Sequence, residues 1–189
     1  MLADPNRIIT LLWMIVFTIW MAAAYSSNEP IHGKSDWRSR IAVWLVGIAW
    51  LLLLSRRLGG PFAWHVIAPA ELLVVTGFGL TLIGFAFALW ARYYLGRNWD
   101  AFISLKKEHK LVQTGPYAIV RHPIYSGFML AATGTAFVVG QLRCFIAAAL
   151  VIGAWSYKSG LEEVFLVDHF GAEYQKYRDK VKRLIPYVW

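Results

Sequence analysis

Cysteine is almost missing from the 189-residue chain: Cys144 stands alone, so no internal disulfide can form, and no Cys/His cluster at metal-ligand spacing offers a zinc site. Charge is scarce as well. Asp, Glu, Lys and Arg make up 16% of the residues against 58% hydrophobic ones, and the mean hydropathy is +0.49, which excludes a disordered chain and an ordinary cytosolic domain. Acidic residues are the scarcer sign, 11 against 19 basic, for a net charge of +8 and a pI near 9.7. Such an excess suits nucleic acid or an anionic membrane surface, and the hydropathy decides for the membrane. The aromatic residues lie in or beside apolar runs and not within a compact basic patch, so no nucleic-acid partner is expected. Internal repeats and low-complexity runs are also lacking, which leaves an inverted-repeat transporter without support.

What is present is a series of long uncharged runs. A hydrocarbon core about 30 Å thick takes roughly 20 apolar residues per helix. Ile8 to Asn28, Leu72 to Ala91 and Pro123 to Leu142 meet that length, while Ile41 to Ser55 and Cys144 to Tyr157 are shorter but have Trp37, Trp155 and Tyr157 as interfacial anchors. The first run follows Arg7 and ends in Ala22-Ala23-Ala24, a pattern shared with cleaved leaders, and is expected to be retained as a span. Leu58 to Ala70, broken by Gly59, Gly60, Pro61 and Pro69, reads as a connecting loop at the interface. The fold class expected is therefore an all-α integral membrane protein with five transmembrane helices and a cytoplasmic C-terminal helical segment. Residues 1–91 hold three N-terminal spans; residues 92–189 hold a polar loop, a helical hairpin and the tail, within one domain.

Five spans divide the basic residues unevenly. Arg7, Arg56, Arg57 and Arg143 fall on one side, and the other fifteen Lys and Arg on the opposite side, so the long loop and the tail are expected in the cytoplasm with the N-terminus outside. The last two spans are joined by a few residues around Gly140 and must form an antiparallel hairpin. Gly127, Ala131, Ala132, Gly134 and Ala136 on its first helix allow close backbone approach.

Polar, reactive side chains concentrate in two segments of that cytoplasmic side. Gly115-Pro116 makes a turn and Pro123 suits a first helical turn, which puts Arg121 and His122 at a helix N-terminus where anions are favoured. Lipid phosphates would meet Arg121 equally well, and the tyrosines would suit an aromatic belt. In the tail, Lys158 and Glu162 are four residues apart on one helix face, and Glu162-Glu163 is an acidic pair in a basic setting. Carboxylates near a membrane should face a protein cavity or water. An ordinary solvated Lys-Glu pair would account for them as well.

The run His109-x-Leu111-Val112-x-Thr114-Gly115-Pro116-Tyr117-x-x-x-Arg121-His122-Pro123-x-Tyr125-x-Gly127, then Glu162-Glu163-x-x-Leu166-x-x-x-Phe170-Gly171-x-Glu173-Tyr174-x-x-Tyr177 and Pro186, resembles the isoprenylcysteine carboxyl methyltransferase family. The resemblance covers roughly Leu95 to Pro186 and rests on two separated motifs in the right order around a hairpin. It implies an integral membrane enzyme that uses S-adenosylmethionine to methylate a lipophilic small-molecule, lipid or prenylated acceptor, with no metal. Carried over by position, its cofactor contacts fall on His109, Lys110, Leu111, Val112, Tyr117, His122, Pro123, Ile124, Tyr125 and Glu162. Residue 158, typically arginine in that family, would contact the acceptor and is Lys158 here, which lacks the planar fork for bidentate carboxylate recognition.

The residue chemistry agrees. Arg121 and His122 suit a cofactor carboxylate, Glu162 an ammonium or ribose hydroxyls, and Tyr117 or Tyr125 an adenine. A carboxylate acceptor needs no general base, whereas an amine or hydroxyl would need Glu163 or His122 to remove its proton. Lys158, by the resemblance, with Glu163 and Arg121 are the expected catalytic residues. A phospholipid N-methyltransferase shares the cofactor and differs in acceptor. A sterol C14-reductase shares the RHPxYxG element, but its nicotinamide cofactor needs added basic residues where Glu162-Glu163 stands. A non-enzymatic protein binding anionic lipid or a partner explains the charge split but not the acidic pair. The acceptor is expected to enter sideways from the bilayer, near the short second span or beside Gly77, Gly79 and Gly84 of the third.

Overall fold

The structure, a computed structural model, describes residues 4–25, 37–68, 70–96, 99 and 111–189, and their regular structure is helical. Helix α1 spans Pro5–Tyr25, α2 Trp37–Leu54, α3 Glu71–Leu95, α4 Pro123–Val139, α5 Leu142–Phe170 and α6 Ala172–Lys180, with 3₁₀ turns at Gly60–Ala63 and Gly115–Ala118. Asp4 starts α1 by accepting from the Asn6 amide at 3.0 Å, with Pro5 at the first helical position.

Helices α1, α2, α3 and α5 are long and apolar enough to cross a bilayer. Large apolar side chains point outward from them, Leu72 with 76% and Trp44 with 73% of its surface exposed. Outward apolar surface on this scale is stable in lipid and not in water, and the chain is an integral membrane protein. The fifth expected span, Pro123 to Leu142, is shorter than the rest. Helix α4 has 17 residues and stops at Val139 because Gly140 adopts φ +71°, where a Cβ would meet the Ile67 carbonyl oxygen at 2.5 Å. At 1.5 Å per residue it is about 26 Å long. The run expected over Cys144 to Tyr157 belongs instead to the 29-residue α5, roughly 44 Å long, whose last turns outrun a hydrocarbon core of about 30 Å. The tail helix is thus both a continuation of α5, to Phe170, and a separate α6 after Gly171 at φ +53°.

The tightest packing joins α3 to α4. A Cβ on Gly77 would meet Gly134 O at 2.7 Å, one on Gly134 would meet Gly77 O at 2.5 Å, and Gly84 and Gly127 block each other in the same way at 2.5 and 2.6 Å. The two pairs sit two turns apart, so the helix backbones touch along a seam. This corrects the expected lateral route: beside Gly77 and Gly84 there is no gap, and of the three glycines Gly79 alone faces open space. Helix α1 lies across α4, where the Trp13 indole N–H donates to Thr135 Oγ1 at 3.0 Å. Helix α2 packs on α5 through Ala42, Val46 and Ala154.

Two buried arginines close helix ends at opposite ends of the bundle. Arg143 donates to the Leu52 and Leu53 carbonyls at 2.8 and 2.9 Å, and Arg92 to the Ala23 and Gly96 carbonyls at 2.6 and 2.5 Å. The loop after α2 docks on the α4–α5 turn, with Val66 N donating to Gly140 O at 2.9 Å and Leu142 N to Trp64 O at 2.9 Å.

The seam predicts a contrast between two glycines on α3. Gly84→Val should cost about 3 kcal/mol or more by overpacking, read as a fall in the thermal unfolding midpoint in detergent. Gly79→Val should change it by about 0.5 kcal/mol or less; equal effects would contradict the packing.

Candidate functional site

The motif residues meet where α4 begins and α5 leaves the bundle. Pro123 at the first helical position of α4 leaves His122 just outside it, and the preceding segment lies beside the tail. Val120 and Lys182 form a parallel bridge, Arg121 N donates to Lys182 O at 2.8 Å, His122 N to Arg183 O at 3.0 Å, and Ser126 Oγ to Leu184 O at 2.6 Å. Residues 181–184 therefore strap the start of α4. The backbone amides of Arg121 and His122, the residues expected at an anion-favouring helix N-terminus, are taken by that strap.

Successive residues on a helix point about 100° apart, so Glu162 and Glu163 face different neighbours. Glu162 Oε1 accepts from Lys158 Nζ at 2.8 Å and from the Tyr125 hydroxyl at 2.5 Å, and Lys158 Nζ also donates to the Tyr125 oxygen at 2.8 Å. Lys158 is buried, 1% exposed, with its ammonium 5.3 Å from the Tyr125 ring centre and 5.7 Å from that of Trp155. Two of its three donors are thereby accounted for. The rings form a stack, His122 on Tyr125 at 5.7 Å and Tyr125 on Trp155 at 4.5 Å.

Glu163 faces the strap. Its Oε1 accepts from Arg121 Nε at 2.7 Å and Nη2 at 2.5 Å, Arg178 Nε of α6 stands 3.7 Å from Oε2, and both side chains of the Arg121–Glu163 pair are under 10% exposed. Arg121 Nη1 donates to the Val181 carbonyl and to Arg178 O. The guanidinium expected to meet an incoming carboxylate is thus engaged inside the protein. Removing one partner of such a buried pair typically costs about 3–5 kcal/mol.

His122 lies between the two carboxylates, Nδ1 3.4 Å from Glu162 and Nε2 3.5 Å from Glu163. Burial alone pulls its pKa down, but the two carboxylates outweigh it, and the net direction is upward from 6.5. Nε2 is buried without hydrogen-bond geometry to any partner, as is Ser156 Oγ.

Of the other expected residues, Tyr117 is buried, its carbonyl accepting from the Tyr177 hydroxyl at 2.5 Å. Burial pushes its phenol pKa well up, with the Tyr177 phenol and the Glu162 carboxylate adding to the shift. Pro123 and Ile124 are buried at the head of α4, Val112 packs against the core, and Leu111 is half-buried beside it in sequence. His109 and Lys110 lie outside the described residues. Three contributors escaped the sequence reading. Trp155 stands one turn from Lys158 and was legible as its helix neighbour; Ser126 and Arg178 reach the site through the strap and α6, which no local pattern announces.

These residues suit an adenosyl sulfonium ligand. Glu162 offers a carboxylate with 20% of its side chain exposed, beside the stack of His122, Tyr125 and Trp155.

Comparison with known proteins bears on the same region. The phospholipid methyltransferase family matches residues 72–173. The chain is 35% identical over 121 residues to protein-S-isoprenylcysteine O-methyltransferase B of Arabidopsis thaliana, covering 60% of each chain. To the human protein-S-isoprenylcysteine O-methyltransferase it is 28% identical over 130 residues, 66% of this chain and 45% of that one. The chain thus spans between about half and three-fifths of the length of these relatives. A solved eukaryotic intramembrane Ras methyltransferase, an isoprenylcysteine carboxyl methyltransferase, superposes with a TM-score of 0.61 at 21% identity, over 100% of this chain and 70% of its own. That likeness establishes the fold.

The clamped imidazole predicts a pH dependence. A histidine whose pKa is raised by folding adds stability below its ordinary value of 6.5 and loses it as pH rises through the higher native value. Thermal unfolding in detergent should show wild-type stability falling as pH is raised above 6.5, and His122→Gln should flatten that fall; an identical pH profile in the variant would refute the clamp.

Proposed function

The chain belongs to the phospholipid methyltransferase family, and we propose that it transfers a methyl group from S-adenosylmethionine to the carboxylate of a lipophilic, membrane-embedded acceptor of the isoprenylcysteine type. The observation that carries this reading is the convergence of His122, Tyr125, Lys158 and Glu162, drawn from two motifs about 35 residues apart, into one buried cluster. The isoprenylcysteine methyltransferases named above support it by alignment with much of the chain.

When bound, S-adenosylmethionine supplies a methyl on a cationic sulfur: a carboxylate lone pair forms the C–O bond, the C–S pair stays with sulfur, and no proton moves. The chain's task is then to position and to exclude water. Glu162 receives an ammonium or ribose hydroxyls. Tyr117 and Tyr125 serve an adenine, and Pro123 and Ile124 shape the wall at the head of α4. The segment His109, Lys110, Leu111 and Val112 contributes backbone groups. Lys158, held by Glu162 and Tyr125, turns its remaining donor to the acceptor carboxylate. Arg121 and Glu163 act as positioning residues that fasten the strap behind His122.

Helices α1 to α5 make five crossings, with α4 the shortest, and the N-terminus lies outside. The site, α6 and the strap are cytoplasmic, as the fifteen-to-four division of basic residues supports. An amine acceptor, as in phospholipid N-methylation, would need a free base; Glu163 is held by Arg121, and His122 is held toward its protonated form.

Calorimetry on detergent-purified protein tests the reading. S-adenosylmethionine and S-adenosylhomocysteine should bind, Glu162→Ala should weaken both by about tenfold or more, and farnesylcysteine should be converted to its methyl ester. Binding of reduced nicotinamide cofactor in their place would overturn it.

A further inference from the structure

A cavity of about 470 Å³ lies between α1 and α2, floored by Phe128 of α4. Its walls include Trp13, Phe17, Trp20, Gly47 and Trp50, and the one hydroxyl side chain in the lining is Ser55. The Trp13 indole N–H is already satisfied by Thr135. Such a cavity offers an occupant apolar contact and almost no hydrogen bonding, so it selects hydrocarbon. Phe17 and Leu51 are exposed at its edge, so it opens sideways to lipid.

The cavity neighbours the proposed reaction site across a series of packed rings. Phe128 follows Tyr125 by one turn of α4, and Trp50, 6.4 Å from the Phe128 ring, shares with Trp155 the cluster around Ala154. Trp155 in turn stacks on Tyr125, whose hydroxyl bonds Glu162 and Lys158. Packed rings thus join the cavity wall to the groups that hold Lys158. Except for Phe128, the lining lies outside residues 72–173, the region shared with the family.

We infer that α1 and α2, outside the shared region, form the receptor for the acceptor's isoprenoid tail, and that Gly47 sets the size of tail it admits. The family region supplies cofactor and reaction, and the two N-terminal helices supply the choice of acceptor. Gly47 is the gap in the α2 wall: a Cβ built there meets nothing within 4 Å, so a larger side chain grows into the cavity without moving its neighbours. Replacing a mid-helix glycine also favours the helix. The inference rests on the methyl-transfer reading for the link between tail and acceptor carboxylate, but not for the occupancy of the cavity.

Occupancy is tested without turnover. Full-length protein in nanodiscs is photolabelled with a diazirine-bearing farnesylcysteine, and the label is mapped by mass spectrometry in wild type, Gly47→Leu and Gly79→Leu. Gly79 also faces open space but does not line the cavity. Label is expected on residues 13–20 and 47–55, displaced by unlabelled farnesylcysteine and not by phospholipid, lost in Gly47→Leu and kept in Gly79→Leu. In turnover, Gly47→Leu should lower kcat/KM for geranylgeranyl- and farnesylcysteine by about tenfold or more while geranylcysteine changes little and S-adenosylmethionine affinity is kept. Label on another face, displacement by phospholipid, or an equal loss for every tail would overturn the inference. Absence of S-adenosylmethionine binding in wild type would instead remove the methyl-transfer reading, and the labelling would still judge the cavity.

Discussion

Two adjacent carboxylates on α5 share one imidazole, and the rest of the site is arranged to make that burial tolerable. Charge taken out of water is costly unless paired and hydrogen-bonded. Glu162 finds its partners in Lys158 and Tyr125, along the bundle; Glu163 finds Arg121 and Arg178, beyond it. The helical turn between consecutive residues is what sends them different ways. His122, between them, fixes the start of α4 relative to α5. Because Arg121 also bonds the Val181 and Arg178 carbonyls, the strap and α6 are bound into the same network.

That network needs a stiff foundation, and the membrane region supplies it. The glycine seam holds α3 and α4 in backbone contact, Trp13 ties α1 to α4 through Thr135, and Arg92 and Arg143 satisfy carbonyls that would otherwise end helices unpaired. Helix α5, longer than a hydrocarbon core is thick, carries the acidic pair in its C-terminal third. Polar chemistry at the end of an apolar bundle, with an apolar cavity beside it, suits a substrate that has one charged end and a greasy remainder.

Much of this was legible in the sequence. Four runs lacking charge became long helices, the hairpin turned at Gly140, and the resemblance to isoprenylcysteine carboxyl methyltransferases holds in the comparisons. The i, i+4 spacing of Lys158 and Glu162 gave their contact outright. What escaped depends on long-range partners. Gly77 and Gly84 looked like openings because a sequence does not say that Gly134 and Gly127 fill them. The pairing of residues 120–122 with 182 and 183 joins segments about sixty residues apart, and it is what removed Arg121 from the open site. The length of α4 turned on one backbone angle at Gly140, where the loop between α2 and α3 docks.

The division of labour between the two carboxylates is tested most directly by measuring Glu162→Gln and Glu163→Gln in parallel, for thermal unfolding and for S-adenosylmethionine affinity in detergent. Glu162→Gln should lower the unfolding midpoint by leaving buried Lys158 without its carboxylate, and its folded fraction should bind S-adenosylmethionine about tenfold or more weakly. Glu163→Gln should lower the midpoint by leaving buried Arg121 unpaired, while whatever remains folded still binds. Wild-type affinity in folded Glu162→Gln, or an equal loss of affinity in folded Glu163→Gln, would contradict the account.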